Sequence, residues 1–384
     1  MLGLWLLILG QAATPHGKAP NDIVVIGHRA EQELAACLAR SCPPAQDVEA
    51  SLDASVEAFA DGRYGDAQRT LRNSIRRNRN HAADMPGPVS SLYATLATVA
   101  EHFGDNELWL SSSRNNVSVL REHLGETHEA TLVQELTFAD SMVGLGMTVS
   151  AAALYQKAQQ KAAQSGNRRL AAGAAFRRAW LAQLSRHDRE AAQMADEAVR
   201  LAGDDNKAML DMRDILRARI AIRHGDDGAV DALAARLQRS ATASPKLLFA
   251  PPVDDMNMGF LRIGTGSSLD YGIHFADVGY WIRPDGRTTG AEVLRTSGLG
   301  QWSRSILRQV GQRRYVPLDL GSNHPGIYRI DRFTIRGKLG FAAGSRIRQR
   351  IGNLTVHVID LTETDEMTAA HHASTQETIA TSAN

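Results

Sequence analysis

The chain has 384 residues, enough for two domains. Its 43 basic and 42 acidic residues leave a formal charge of +1, which excludes a global field directed at nucleic acid or at a membrane surface. The 2 cysteines, Cys37 and Cys42 in the stretch CLARSC, have no His or further Cys beside them and make a poor zinc site.

Residues 1–12 read as an export signal, because Leu2 to Leu9 is an apolar core and Gly10-Gln11-Ala12 offers small residues at a cleavage position. The run is too short to span a bilayer, and no stable membrane span is evident elsewhere; a longer native N-terminus would turn this run into an anchor. Residues 13–46 are expected to form an extended N-terminal segment. In an exported chain Cys37 and Cys42 close a local disulfide worth roughly 2–3 kcal/mol at most, whereas a cytosolic chain keeps two thiols. The β-branched run Asn21-Asp22-Ile23-Val24-Val25-Ile26-Gly27 is suited either to adding as an edge strand or to serving as a linker.

From 47 to 240 the chain is rich in Ala, Leu, Arg and Glu, and helix-turn-helix punctuation recurs at Tyr64, Asn106, Thr148, Asp188 and Asp226, spaced 42, 42, 40 and 38 residues apart. Ala94, Ala97, Ala174, Ala175, Ala191 and Ala195 permit close helix approach, while Leu96, Phe138, Leu154, Trp180 and Leu181 fill the seam. The turn Gly62-Arg63-Tyr64-Gly65-Asp66-Ala67 resembles the Gly-x-Tyr-x-x-Ala element of tetratricopeptide repeats, with weaker copies at Gly104-Asp105, at Gly146 with Ala152 and Tyr155, and at Gly225-Asp226. The resemblance implies an α-solenoid of about five helix pairs with a surface for peptide or protein segments; an ordinary helical bundle is the plainer alternative.

Pro245, Pro251 and Pro252 break the helical pattern, so 241–254 is expected as a linker and 255–361 as a second domain. Val278, Tyr280 and Ile282 share one face of a strand. Pro284-Asp285-Gly286 reverses the chain, and Thr289, Ala291 and Val293 alternate on the return strand up to Ser297-Gly298. Trp302, Ile306 and Val310, with Leu307 beside them, make one apolar stripe on a helix. Tyr328, Ile330, Phe333 and Ile335 suggest a third strand whose parity changes at Asp331-Arg332, the mark of a bulge.

The strand, Asp285-Gly286-Arg287, Val293, Ser297-Gly298, the helix and Arg314-Tyr315-Val316-Pro317 together resemble the C-terminal domain of the TonB energy-transducer family. That resemblance implies a small β-α-β domain that pairs edge-to-edge with a receptor's N-terminal peptide. It points to Arg313, Arg314, Tyr315, Tyr328, Arg329 and Arg332 as partner-docking residues. The run 21–27 is similar to the box by which TonB-dependent receptors engage such a domain.

Arginines crowd between Arg304 and Arg350, either as a solvated face or as a surface for an anionic polymer or acidic peptide, and 362–384 reads as a disordered acidic tail. No catalytic motif is present. Gly264-Thr265-Gly266-Ser267-Ser268 lacks the lysine of a phosphate loop. His123 and His128 are off the spacing of a shared ligand face, and His371-His372 lies in the tail. The expectation is therefore a periplasmic, non-enzymatic interaction protein without cofactor, metal or nucleic-acid partner. It would be a multidomain chain, α-solenoid then α+β, docking partners that include receptor N-terminal segments. Alternatives are a membrane-anchored energy transducer with a truncated start, or an accessory subunit of an envelope enzyme.

Overall fold

A computed structural model of the protein describes residues 29–226, 228–237, 245–254, 272–298, 302–320, 324–341 and 344–362. The export signal, the run 21–27, the Gly264–Ser268 stretch and the acidic tail lie outside the described residues. What is described is a helical region followed by an antiparallel sheet region that carries one further helix.

The helices are α1 (Arg29–Ala39), α2 (Pro44–Ala60), α3 (Tyr64–Asn78), α4 (Pro86–Phe103), α5 (Asn106–Leu124), α6 (Glu129–Gly144), α7 (Thr148–Gln164), α8 (Arg168–Leu184), α9 (Asp188–Ala202), α10 (Lys207–Arg223) and α11 (Ala229–Leu237). From α2 onward they come in pairs joined by short turns. The second members begin at Tyr64, Asn106, Thr148, Asp188 and Ala229, so only the last starts away from the turn aligned in the sequence. Residues 29–39, expected to be extended, form α1 instead. The run RAEQELAACLA consists of good helix formers without Gly or Pro, and its Cys37 is buried and bonded to Cys42. The chain divides into two units, one of residues up to 154 without 102–105, the other of 102–105 together with the residues from 155 onward.

In the first unit the α2–α3 turn shows how the local sequence acts. Gly62 adopts φ 76°, which a side chain would resist, and lets Arg63 donate its amide to the Ala58 carbonyl at 2.8 Å. Tyr64 then packs edge-on against Phe59 with ring centroids 5.1 Å apart, and Ala67 is fully buried beneath. A polar network locks the same pair. The Asp47 carboxylate accepts from Arg77 at 2.6 and 2.7 Å, from Asn78 at 2.7 Å and from Ser51 at 3.0 Å. Burial pushes this carboxyl up, and the bonds from Arg77, Asn78 and Ser51 outweigh it, leaving it below its ordinary range.

In the second unit α8 and α9 meet through small side chains. Ala175, Ala179 and Ala182 share a buried cluster with Ala191, Ala195 and Ala198, closed by Phe176 and Leu216. Next, Ile215 of α10 and Leu233 and Leu237 of α11 pack with Leu248 and Val316. Leu248 belongs to β1 (Leu247–Phe249), so the expected linker supplies a strand, which pairs antiparallel with β4 (Arg314–Tyr315). Arg219 stacks over Trp180 at 4.4 Å and donates to the Leu248 carbonyl at 3.1 Å; burial brings its pKa down to about 10. The last helices and the start of the sheet region thus share one core.

The main sheet has the strand order β3-β2-β5-β6, all neighbours antiparallel, with β2 (His274–Ile282), β3 (Thr288–Thr296), β5 (Ile327–Phe341) and β6 (Arg348–Asp360). Helix α12 (Trp302–Gly311) covers one face through Ile306 and Val310, both fully buried, with Trp302 and Leu307 at the margin. Opposite them lie Ala276, Val278, Tyr280 and Ile282 of β2 with Phe333 and Ile335 of β5. The β2–β3 turn has the expected chemistry. The Arg287 amide donates to the Asp285 side chain at 3.1 Å, and Gly286 takes φ 77° in a place where a Cβ would collide with the Tyr315 carbonyl.

The expected bulge at Asp331-Arg332 is absent. β5 runs in unbroken register with β2 from Ile327↔Ile282 to Ile335↔His274. The apolar parity changes because two inward positions, Arg329 and Asp331, carry charge. They pair with Tyr280 and Val278, whose side chains face the core.

Candidate functional site

The two faces and the free edge of this sheet gather the residues singled out from the sequence. On the α12 face, Asp331 is 1% exposed and sits at the centre of a buried polar cluster. Its Oδ2 accepts from Arg313 at 2.5 Å and from the Tyr280 hydroxyl at 3.0 Å, and its Oδ1 accepts from Arg329 at 2.9 Å. The Tyr280 and Tyr315 hydroxyls share a hydrogen bond of 2.9 Å, Arg313 Nε donates to Gln309 at 3.1 Å, and Arg329 reaches Asp360 at 2.8 Å. Burial raises the Asp331 carboxyl, but Arg329 and Arg313 overcome that and hold it below its ordinary range. Burial, then Asp331 and Tyr315, push the Tyr280 phenol well up. Asp360 ends above its ordinary range because burial, helped by the neighbouring Asp331 charge, outweighs Arg329. Such a cluster holds strands and helix in register.

On the opposite face, Arg332 is wholly buried. It forms a two-pronged pair with Asp277 at 2.7 and 2.8 Å and stacks over Phe275 at 4.3 Å, while Arg295 adds a bond to Asp277 at 2.9 Å. Of the residues expected to dock a partner, Arg313, Tyr315 and Arg332 therefore lie inside the fold and Arg329 is largely buried. Arg314 is half-buried in β4, where its Nη1 donates to the Arg313 carbonyl at 3.0 Å. Arginine and tyrosine in a motif signal an interface only when their partners in the fold are unknown, and here the fold supplies the partners.

Tyr328 differs from these. It is half-buried on the outer face, 5.1 Å from the Trp281 ring, and lies across Gly279, where a Cβ would collide with its hydroxyl. Trp281 is 37% exposed and Leu294 46% exposed, and Leu294 reaches over Gly279 from β3. These three side chains form an apolar patch that crosses the outer face from Leu294 on β3 through Trp281 on β2 to Tyr328 on β5. β3 has β2 on one side and, beyond the single bridge of Arg287 to Arg314 just before it, no strand on the other among the described residues. On the core side of the same edge, Ala291 and Val293 are only partly buried. Trp281 and Leu294 were missed in the sequence, although the signal existed. Once Tyr280 and Ile282 are assigned inward, period two puts Trp281 outward.

Arg313, Asp331 and Tyr280 are held by one another, not aimed at an open pocket. Among the described residues no group of His, Cys, Asp and Glu could hold a metal ion, and no helix is long and apolar enough to cross a membrane.

No family model matches the chain, and no curated protein matches it. Among solved structures, BtubC (BKLC) from P. vanneervenii is similar over 55% of this chain and 85% of that chain, at 15% identity and a TM-score of 0.42. At that score neither fold nor function is read from the likeness.

Proposed function

We propose that the chain is an exported, non-enzymatic interaction protein of the cell envelope, in which tetratricopeptide-like helix pairs form a scaffold and a TonB-like C-terminal domain docks a partner segment by strand addition on β3. The open β3 edge, with Leu294 exposed on it and Trp281 and Tyr328 continuing the apolar patch inward across β2 and β5, is the observation that carries this reading. An extended peptide laid along β3 would complete its backbone ladder, and alternate side chains would rest beside Leu294 or on the margin near Ala291 and Val293. The regular starts of the second helices support the repeat reading, and the strand–turn–strand–helix order supports the TonB resemblance. An exported chain also suits the Cys37–Cys42 bond, since such bonds persist in oxidising compartments.

The test is a titration of the full chain with extended peptides of the acidic-then-apolar type that begins TonB-dependent receptors. Binding is expected to be lost when alternate peptide amides are methylated, because the ladder needs them. It is also expected to weaken for Leu294→Glu. No binding at high micromolar peptide, or binding indifferent to amide methylation, would remove the reading.

A further inference from the structure

Strands β5 and β6 extend past the sheet that contains them. β2 covers β5 only from Ile327 to Ile335, whereas β5 and β6 remain paired out to Phe341↔Arg348. The far half of the hairpin is therefore a two-stranded ribbon, and its end is apolar. Phe341 is 55% exposed and Ile347 is 75% exposed. Exposed apolar side chains scattered singly need no explanation, but two large ones at one hairpin end do.

The charge around them has one sign. Between Arg332 and Ile359 the sequence has no Asp or Glu, while Arg336, Lys338, Arg346, Arg348 and Arg350 all lie on the ribbon or its tip. Some of these cations are occupied. Arg348 is gripped by Asp105 of the same unit at 2.9 and 3.1 Å, Arg350 donates to the Phe103 carbonyl at 2.6 Å, and Arg336 donates to Thr355 at 3.1 Å. Lys338 and Arg346 are exposed and take part in no ion pair among the described residues. The tip thus carries two apolar side chains, with the available cation Arg346 adjoining Ile347 in the chain and Lys338 three residues before Phe341 on β5.

We propose that this hairpin tip is a peripheral membrane contact. Phe341 and Ile347 enter the headgroup–acyl boundary of an anionic lipid bilayer while Lys338 and Arg346 lie against its phosphates. A soluble polyanion could use the cations but would leave Phe341 and Ile347 in water. A lipid surface satisfies both, since apolar insertion and headgroup attraction act together. The contact lies on the surface and needs no spanning helix. It uses the far end of β5–β6, not the β3 edge, so it stands or falls apart from strand addition.

The experiment is cosedimentation of the full chain with vesicles of equal parts phosphatidylglycerol and phosphatidylcholine, against phosphatidylcholine alone. At low salt the anionic vesicles should bind about tenfold more tightly or better, and the difference should shrink as salt rises. Phe341→Ser with Ile347→Ser should cut binding about tenfold at low salt, while Phe341→Leu should retain it. Lys338→Glu or Arg346→Glu should each cost about fivefold or more. All variants should melt as the wild type does, because the side chains are exposed. No partitioning of the wild type would overturn the proposal. So would vesicle binding untouched by the double serine variant and fully displaced by soluble polyglutamate, which would make the ribbon a polyanion surface.

Discussion

Between α8 and α9 the packing is alanine against alanine, with Ala179, Ala191, Ala195 and Ala198 fully buried; beneath the sheet it is Tyr280, Ile306 and Phe333 around a buried carboxylate. The helix pair needs only small side chains at regular spacing, so its specificity lies in what is absent. The sheet domain is small and its strands are not periodic copies of one another. It fixes β2, β5 and α12 against each other with Asp331, Arg313, Arg329 and Tyr280, a cluster in which each partner depends on the rest. The two regions should therefore fail differently, the first by overpacking and the second by stranding a charge.

The largest expected effect follows from stranding a charge. Asp331→Ala leaves Arg313 and Arg329 without their shared carboxylate, and breaking a buried pair of this kind costs about 3–5 kcal/mol. Chemical denaturation should show the sheet region losing structure at lower denaturant than in the wild type, and an unchanged midpoint would refute the assigned role. In the helical region, Ala195→Leu should destabilise by about 1–3 kcal/mol through overpacking at a fully buried position, whereas the same change at an exposed helix position should be neutral.

Acid sharpens the contrast. The Asp331 carboxyl is held below its ordinary range, so the stability it contributes is complete above the unfolded value, about pH 4, and is lost as pH falls through its lowered folded value. Asp360 acts in the opposite sense. Its pKa is raised on folding, so it disfavours the fold once ionised, and that cost fades as pH falls below the raised value. A pH series of denaturation midpoints should therefore drop on the acid side, and Asp331→Asn should flatten that limb. Asp47 is also lowered, but its partner Arg77 has 37% of its side chain exposed, so Asp47→Asn should flatten the profile less. The smallest effect belongs to Arg69, 71% exposed in its pair with Asp66. Arg69→Ala should change stability by no more than about 0.5 kcal/mol in a thermal melt.

Much of this arrangement was legible in the sequence. The inward face of β2, the Pro284-Asp285-Gly286 turn and the α12 stripe follow from short-range periodicity and turn chemistry, and the helix starts follow from recurrent turns. What escaped depended on contacts between distant residues. Asp331 could be placed inward only by knowing that Arg313, 18 residues earlier in the chain, would meet it, and without that the charges of Arg329 and Asp331 mimic a bulge. The strand Leu247–Phe249 is too short for a period and exists because Tyr315 and Arg314 pair with it. Arg313, Tyr315 and Arg332 read as docking residues for the same reason, whereas they lie inside the fold. Arg332 looks like a surface arginine until Asp277 and Phe275 are seen to enclose it.

The central claim, strand addition on β3, is tested most directly by amide hydrogen exchange on the full chain with and without a bound extended peptide. New protection is expected along Thr288–Thr296, with the amides of β6 unchanged. Protection confined to β6 or to the helical region, with β3 exchanging as in the free chain, would contradict it.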